Sequence, residues 1–131
     1  AAVHAGWKGA YKNIINKTLN ILKKRGSKIK NLIAVVGPCI AKDNYEVKKD
    51  FLTKFIKESE KNKIFFTFKS RRIFFSLNEY IGHQFKKLGV KNIEIIKKDT
   101  YLDKNNFFSS RKSAKKKFDD YGRNISIIMI K

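Results

Sequence analysis

Apolar side chains recur at a helical spacing in some parts of this chain and form short continuous runs in others. The order of these two patterns along the chain limits the possible folds more than any other sequence feature. A helical spacing predicts three helices, which begin near Gly9, Asp43 and Ser76. Short apolar or β-branched runs predict strands at 1–4, 29–36, 93–96 and 125–130, with two more within 64–75. We therefore predict a mixed α/β (α+β) fold, in which a mixed β-sheet is flanked by about three helices. A chain of 131 residues has the size of one domain, which we place at 1–131.

Residues with well-known capping preferences stand at the ends of the predicted helices. Gly26 follows the basic end of the first helix and is expected to terminate it. Asp43 or Asn44 is expected to cap the start of the second helix. Ser76 and Glu79 have the spacing of a capping box, which predicts the start of the third helix.

Three further predictions concern the run at the start of the chain, the run near its end and a long loop between them. The run at 125–130 is apolar at nearly every position, which predicts a central strand covered on both faces. The run at 1–4 predicts a buried strand at the very start of the chain, as expected of a fragment or of the second half of a larger domain. Residues 97–123 show little periodicity and are expected to form a functional loop.

Composition narrows the protein class. The net charge is +20, but the excess is mostly scattered lysine, accompanied by abundant Asn, Ile and Phe, as AT-rich genomes encode. We rank this explanation above nucleic-acid binding, which stays as an alternative. Cys39 is the only cysteine, which favours the reducing cytoplasm. We expect neither a secretory leader nor a membrane span.

A candidate site follows the first predicted strand. His4 precedes a Gly-x-x-Gly turn that leads into the first helix, where free backbone N–H groups favour anions. Gly6 would let the backbone approach a ligand, Trp7 could stack on a base, and Lys8 adds positive charge. Such a short motif is weakly specific by itself, and a lone histidine is more often structural.

Five segments, in order, resemble the YfiH-like laccase-domain family. The first is AAVHAGWKGAYKNII, which is similar to the family's His-Ala-Gly-Trp-Arg-Gly block and the helix after it. The others are VVGPCIAKDNYEVKKDF, FSLNEYIGHQFKKLGVKNIEI, DTYLDKNNFFSSRK and GRNISIIMI. Together they cover nearly the whole chain, and the resemblance implies the C-terminal half of the YfiH-like fold.

The resemblance implies an enzyme acting on purine nucleosides, by phosphorolysis of the N-glycosidic bond and by deamination of adenosine. It also implies a zinc ion bound by two histidines and a cysteine, of which His4 matches one histidine. The motifs that carry the other two ligands, Val-His-Gly and Ala-Asp-Cys, do not occur here. Cys39 and Asp99 are further candidates for completing the set. The cations expected to hold phosphate are Lys8, Arg111, Lys112 and Arg123.

Several positions depart from the family pattern, mostly in one loop. The departures are Lys8 for Arg, Ser76 for Asp, Asp99 for Cys, Ser110 for Tyr, Lys112 for Arg and Ser113 for Asp. Ser76 keeps the capping ability of Asp, so that change is expected to be silent. Three hypotheses therefore remain: a zinc-dependent purine nucleoside phosphorylase and adenosine deaminase; an inactive remnant or a half needing a separate N-terminal half or homo-oligomer; and a basic nucleic-acid-binding domain.

Overall fold

The strands divide between two small sheets, and helices pack against both. The computed structural model describes residues 1–117 and 122–129. In these ranges the helices are α1 (Trp7–Tyr11), α2 (Ile14–Lys24), α3 (Lys49–Glu58), α4 (Leu77–Lys87) and α5 (Ser110–Lys115). The strands are β1 (Ile33–Val36), β2 (Glu46–Val47), β3 (Phe66–Lys69), β4 (Arg72–Phe75) and β5 (Asn92–Ile95). Short 3₁₀ turns lie at Ile29–Asn31, Lys42–Asn44, Glu60–Phe65 and Asp103–Asn105. The predicted mixed α/β class is confirmed.

One sheet is a parallel pair formed by β1 and β5, with Ile33 opposite Asn92 and Val36 opposite Ile95. Helix α4 contacts both strands. A Cβ on Gly82 would lie 2.9 Å from the Ile95 side chain, so glycine permits this close approach. On the other face of β1, Ile33 is 74% exposed. The strand predicted at 29–36 is therefore shorter than expected, and only one of its faces is buried.

The other sheet is antiparallel, in the order β2-β4-β3. The two-residue turn Ser70-Arg71 joins β3 to β4, with φ of 48° and 61° at its two residues. Positive φ at both central positions is the type I′ geometry that matches the twist of a hairpin. The prediction of two strands within 64–75 is confirmed, although Arg72, expected in the turn, belongs to β4.

An aromatic cluster joins the antiparallel sheet to the helices. Phe55 of α3 and Phe75 of β4 are completely buried, with their ring centroids 4.9 Å apart. Phe51 stacks on Phe55 at 4.8 Å, and Tyr80 of α4 meets Phe55 edge-on at 5.1 Å. Such tilted and edge-to-face pairs add stability beyond the area that they bury.

The predicted strand at 1–4 is wrong, because residues 1–6 have no regular structure and the first four are exposed. A strand needs hydrogen bonds to a neighbouring strand, and neither sheet of the described residues includes this segment. His4 therefore lies in an irregular segment before α1 rather than at the end of a strand.

The predicted first helix is divided by Asn13, whose φ is 59°. Asparagine tolerates this left-handed conformation better than other non-glycine residues, so the break between α1 and α2 falls there. Gly26, with φ of 90°, follows the end of α2 as predicted, and Gly89 does the same after α4.

The start of the second helix lies later than predicted. Helix α3 has Lys48 as its N-cap residue, whereas Asp43 and Asn44 belong to a 3₁₀ turn. Asn44 instead donates from Nδ2 to Asp99, so a tertiary contact takes the side chain expected to cap the helix. Helix α4 begins after Ser76 as predicted, but the Ser76 hydroxyl bonds Asn78 Oδ1 and makes no backbone capping bond.

The predicted central strand at 125–130 is also wrong over its described part. Residues 122–129 form no strand, and position 130 lies outside the described residues. Ile125, Ile127, Ile128 and Met129 are between 63% and 84% exposed. An apolar run forms a central strand only when strands pair with it on both sides and other layers cover its faces. Among the described residues, no strand pairs with 122–129.

Within the described ranges, no helix is both long and apolar enough to cross a membrane.

Candidate functional site

His4 and Gly6 lie together at the entrance to α1. Gly6 is the N-cap residue of α1 and has extended backbone. A Cβ added to Gly6 would lie 3.1 Å from His4 Nε2, so the missing side chain leaves room for the imidazole. His4 is exposed, and its ring is therefore accessible to a ligand.

Trp7 anchors α1 against α3, and two ammonium groups lie over its ring. Its ring meets Phe51 edge-on at 4.9 Å, which ties the start of α1 to the aromatic cluster. Lys8 Nζ is 5.7 Å and Lys54 Nζ 5.5 Å from the Trp7 ring centroid, within cation–π range. Lys54 also lies 5.7 Å from the centre of Tyr11. Sequence reasoning missed Lys54, because its place beside Trp7 depends on how α3 packs on α1.

Asp99 is a buried carboxylate that joins two loops. It is 8% exposed, and its Oδ1 accepts from the backbone N–H of Ala41 at 3.1 Å and of Tyr101 at 2.8 Å. Its Oδ2 accepts from Asn44 Nδ2 at 2.6 Å. Burial of a carboxylate is tolerated when its lone pairs are satisfied in this way. Asp99 therefore has a structural role that accounts for its burial.

Cys39 is paired with Asp99 by an isolated parallel β-bridge, and its thiol donates to the Ile40 carbonyl at 3.5 Å. Burial and the neighbouring Asp99 charge raise the pKa of this thiol to about 11. The thiolate is the form that binds metals and attacks electrophiles. Near neutral pH Cys39 is consequently a protonated, weakly reactive side chain.

Arg111 is held against the antiparallel sheet. Its Nη1 donates to the Glu46 carbonyl at 3.1 Å, and its guanidinium lies 5.2 Å from the centre of the Tyr45 ring. Tyr45 is 6% exposed, so the guanidinium rests on a fixed aromatic surface. An arginine has five N–H donors, and this arrangement orients the group while Arg111 stays exposed.

Lys112 and Arg123 differ from Arg111 in their surroundings. Lys112 Nζ forms an ion pair and hydrogen bond with Asp103. The hydrogen bond and charge of Lys112 lower the pKa of the Asp103 carboxyl. Arg123 is exposed in the irregular segment 122–129. Near Lys112, a cleft of about 330 Å³ is lined by Tyr101, Leu102, Asp103, Lys112, Lys115 and Lys116.

The described residues do not by themselves fit a three-ligand zinc site. Among them, no group of three or more His, Cys, Asp or Glu side chains is arranged to hold a metal ion. The three hydrogen bonds of Asp99 and the raised pKa of Cys39 also make these two side chains poor ligands. The structure thus brings Cys39 and Asp99 together without forming a metal centre, and the assignment of His4 to zinc stays a prediction.

Comparison with known proteins now identifies the family. Residues 1–131 match the family described as multi-copper polyphenol oxidoreductase laccase, and this chain belongs to that family. The chain is 38% identical over 133 residues to a purine nucleoside phosphorylase of Rickettsia conorii, a match that covers 99% of this chain and 54% of that protein. It is 34% identical over 99 residues to a purine nucleoside phosphorylase of Aquifex aeolicus, covering 76% of this chain and 44% of that protein.

Solved structures agree with this assignment. YfiH of Bacillus licheniformis superposes with a TM-score of 0.75 and 26% identity, covering 86% of this chain and 44% of that chain. The Neisseria meningitidis protein NMB0706 gives a TM-score of 0.74 and 25% identity, covering 84% of this chain and 45% of that chain. The resemblance to the YfiH-like family is therefore confirmed. This chain spans about half the length of the curated relatives that it matches.

Proposed function

We propose that this chain forms part of a purine nucleoside phosphorylase, which cleaves the N-glycosidic bond of purine nucleosides with phosphate. The observation that carries the proposal is the 38% identity to the Rickettsia conorii enzyme over 99% of this chain. In the proposed reaction, a phosphate oxygen bonds to C1′ of the sugar as the bond from C1′ to the purine nitrogen breaks. The purine leaves with a proton, and the sugar keeps the phosphate. We place the enzyme in the cytoplasm.

Arg111 is the first choice for holding phosphate in this reaction. The planar guanidinium can donate two parallel hydrogen bonds to phosphate oxygens. Its contacts with the Glu46 carbonyl and the Tyr45 ring support the assignment, because they orient the group before substrate arrives. Lys112 is already paired with Asp103, so its charge is partly neutralised and its contribution is smaller. Arg123 is a further phosphate-binding candidate.

The residues around α1 form the other part of the proposed site. The exposed imidazole of His4 is placed to contact substrate, with Gly6 leaving space beside it. Lys8 adds a cation that can approach phosphate, and Trp7 holds the segment in place through Phe51. Because the Trp7 ring is engaged with Phe51 and two ammonium groups, we assign it to positioning rather than to base stacking.

Zinc binding and adenosine deamination depend on residues beyond those that this chain supplies. We infer that His4 contributes one zinc ligand and that the remaining ligands come from another polypeptide segment. The lack of a three-residue metal cluster among the described residues supports this inference. When bound, such a zinc ion would supply an activated water for deamination. Without that segment, the chain alone would be an inactive half.

The test combines this chain with the part of the Rickettsia conorii relative that the match does not cover. We expect the mixture to release adenine from adenosine only when phosphate is present. Arg111→Gln should lower the rate by about a hundredfold, as loss of one oriented donor does in other enzymes. His4→Ala should abolish zinc uptake by the mixture. Lys24→Gln, an equal loss of charge at the end of α2, should leave the rate unchanged.

Two results would overturn the phosphorylase assignment, and a third would overturn the role of His4. Absence of phosphate-dependent adenine release, with and without the added half, would remove the phosphorylase. Inosine formation without phosphate would point to deamination as the main activity instead. Zinc uptake in the His4→Ala mixture at the wild-type level would remove His4 from the metal site.

We further propose that a second polypeptide, either a separate N-terminal half or another copy of this chain, covers the exposed apolar side chains. Ile33 is 74% and Val35 52% exposed on one face of β1, and Ile125 is 84% exposed. Exposed apolar groups of this size favour association. We expect sedimentation velocity to detect dimers or larger species, and the double variant Ile33→Ser, Val35→Ser to shift the population toward monomer. A monomeric wild type that does not bind the added half would contradict this.

A further inference from the structure

The outer face of the antiparallel sheet forms a groove. None of the residues assigned above to phosphate or metal binding lines it. It has a volume of about 450 Å³ and is lined by Asp43, Thr67, Lys69, Ser70, Arg72 and Phe74. This volume lies in the range of small-molecule sites. Residues opposite one another on neighbouring strands share a face of the sheet. The pairings Thr67 with Phe74 and Lys69 with Arg72 therefore place these four side chains on one face.

Two cations stand directly opposite each other at one end of this groove. Lys69 pairs with Arg72 across the hairpin, and like charges in this arrangement destabilise a sheet. Arg72 Nη1 lies 3.7 Å from Glu46 Oε2, and both side chains are more than half exposed. Exposed ion pairs of this kind contribute little. An anion between Lys69 and Arg72 would relieve the repulsion, so the pairing favours a ligand with negative charge.

An aromatic ring stands next to the two cations. Phe74 is partly buried, and it lies two positions from Arg72 on the same face of β4. Phe66 and Phe75, on the opposite face of the same two strands, are buried in the core. A phenylalanine on the outer face beside basic side chains is the arrangement on which sheet surfaces stack nucleic-acid bases.

We propose that this groove binds a nucleoside phosphate, with the base on Phe74 and the phosphate between Lys69 and Arg72. The hydroxyl groups of Thr67 and Ser70 can donate to phosphate oxygens. The carboxylate of Asp43, also in the groove, can accept from a sugar hydroxyl or a base amino group. The ligand is either a free mononucleotide or one unit of a single strand, since both present the same base and phosphate. The high positive charge of the chain favours either anion.

The experiment uses two probes on the full chain at low salt. Calorimetry measures binding of AMP, and fluorescence anisotropy measures binding of a fluorescein-labelled oligoadenylate. Phe74→Leu keeps an apolar side chain but removes the ring, and we expect it to weaken binding about tenfold. Lys69→Gln and Arg72→Gln should each weaken binding several-fold. Lys24→Gln, which removes the same charge from an exposed position on α2, should have no effect.

The outcomes separate the two sources of the ligand. If AMP binds and its binding depends on Phe74 and Arg72, the groove is a mononucleotide site. If only oligoadenylate binds, with the same dependence on Phe74 and Arg72, the groove binds single-stranded nucleic acid. Equal weakening by Lys24→Gln and Lys69→Gln, with no effect of Phe74→Leu, would overturn the proposal in favour of general charge attraction. No binding of either probe would also overturn it. The adenine-release assay is independent, so failure of the proposed phosphorylase would leave these results unchanged.

Discussion

Asp99 shows how one buried side chain can organise a region whose sequence has little periodicity. Its carboxylate accepts hydrogen bonds from Ala41, Asn44 and Tyr101, while its backbone carbonyl accepts from Asn105 Nδ2 at 2.8 Å. These contacts join the loop after β1 to the loop after β5. The resemblance to the family had marked Asp99 as a departure at a possible active-site position. Its geometry shows that the residue satisfies buried donors.

Replacing Asp99 by alanine should lower the free energy of unfolding by about 3 kcal/mol, because it leaves several donors without partners. Asp99→Asn is the matched control. It retains one acceptor oxygen, and the Asn44 amide can turn its own oxygen toward the new amide, so a smaller loss is expected. Urea unfolding of the three proteins measures the difference. Equal stability of Asp99→Ala and the wild type would contradict the structural role.

At the scale of elements, the hairpin between β3 and β4 follows sequence rules except in its turn. The strands were predictable from their aromatic and β-branched residues. The turn Ser70-Arg71 adopts positive φ at both positions, although neither residue is among those that favour it. In contrast, the N-cap of α3 could not be predicted, because Asn44 is taken by Asp99. Local preference decides an element's end only when no tertiary contact competes for the same side chain.

The double substitution Ser70→Asn, Arg71→Gly should stabilise the protein by about 1 kcal/mol. Asparagine and glycine adopt the two positive-φ conformations of a type I′ turn with less strain than serine and arginine. Thermal unfolding is the measurement, with Arg71→Ala as a control that removes the charge but keeps the strain. A lower melting temperature for the Asn-Gly variant than for Arg71→Ala would show that the turn is not strained.

At the scale of the whole molecule, the raised pKa values of one thiol and one phenol make stability depend on alkaline pH. The pKa of Cys39 is raised to about 11, by burial and then by Asp99, and that of Tyr80 to about 12, by burial and then by Glu58. Ordinary values are near 9 for the thiol and near 10 for the phenol. The folded chain therefore holds protons that the unfolded chain releases in this range, and stability falls as the pH rises.

We expect the free energy of unfolding to decrease between pH 9 and 11, and the contribution of Cys39 to be at most about 1.4 kcal/mol per pH unit. Cys39→Ala removes that contribution, so its stability should fall less steeply over the same interval. Tyr80→Phe should flatten the dependence at higher pH. Denaturant titrations across the interval provide the slopes, and parallel curves for Cys39→Ala and the wild type would refute the argument.

The sequence by itself determined the class of fold, the existence of α2, α3 and α4, the β3–β4 hairpin and membership of the family. These features depend on local periodicity, on glycines after helix ends and on motifs that can be recognised in a single sequence. Only the tertiary structure decided that residues 1–6 and 122–129 form no strand, that Asp99 is a hydrogen-bonding centre and that Lys54 lies over Trp7. The physical reason is the same in each case. A strand forms only beside another strand, a buried carboxylate is tolerated only with hydrogen-bond donors, and a cation–π contact forms only beside an aromatic ring. In each case the partner comes from a distant part of the chain.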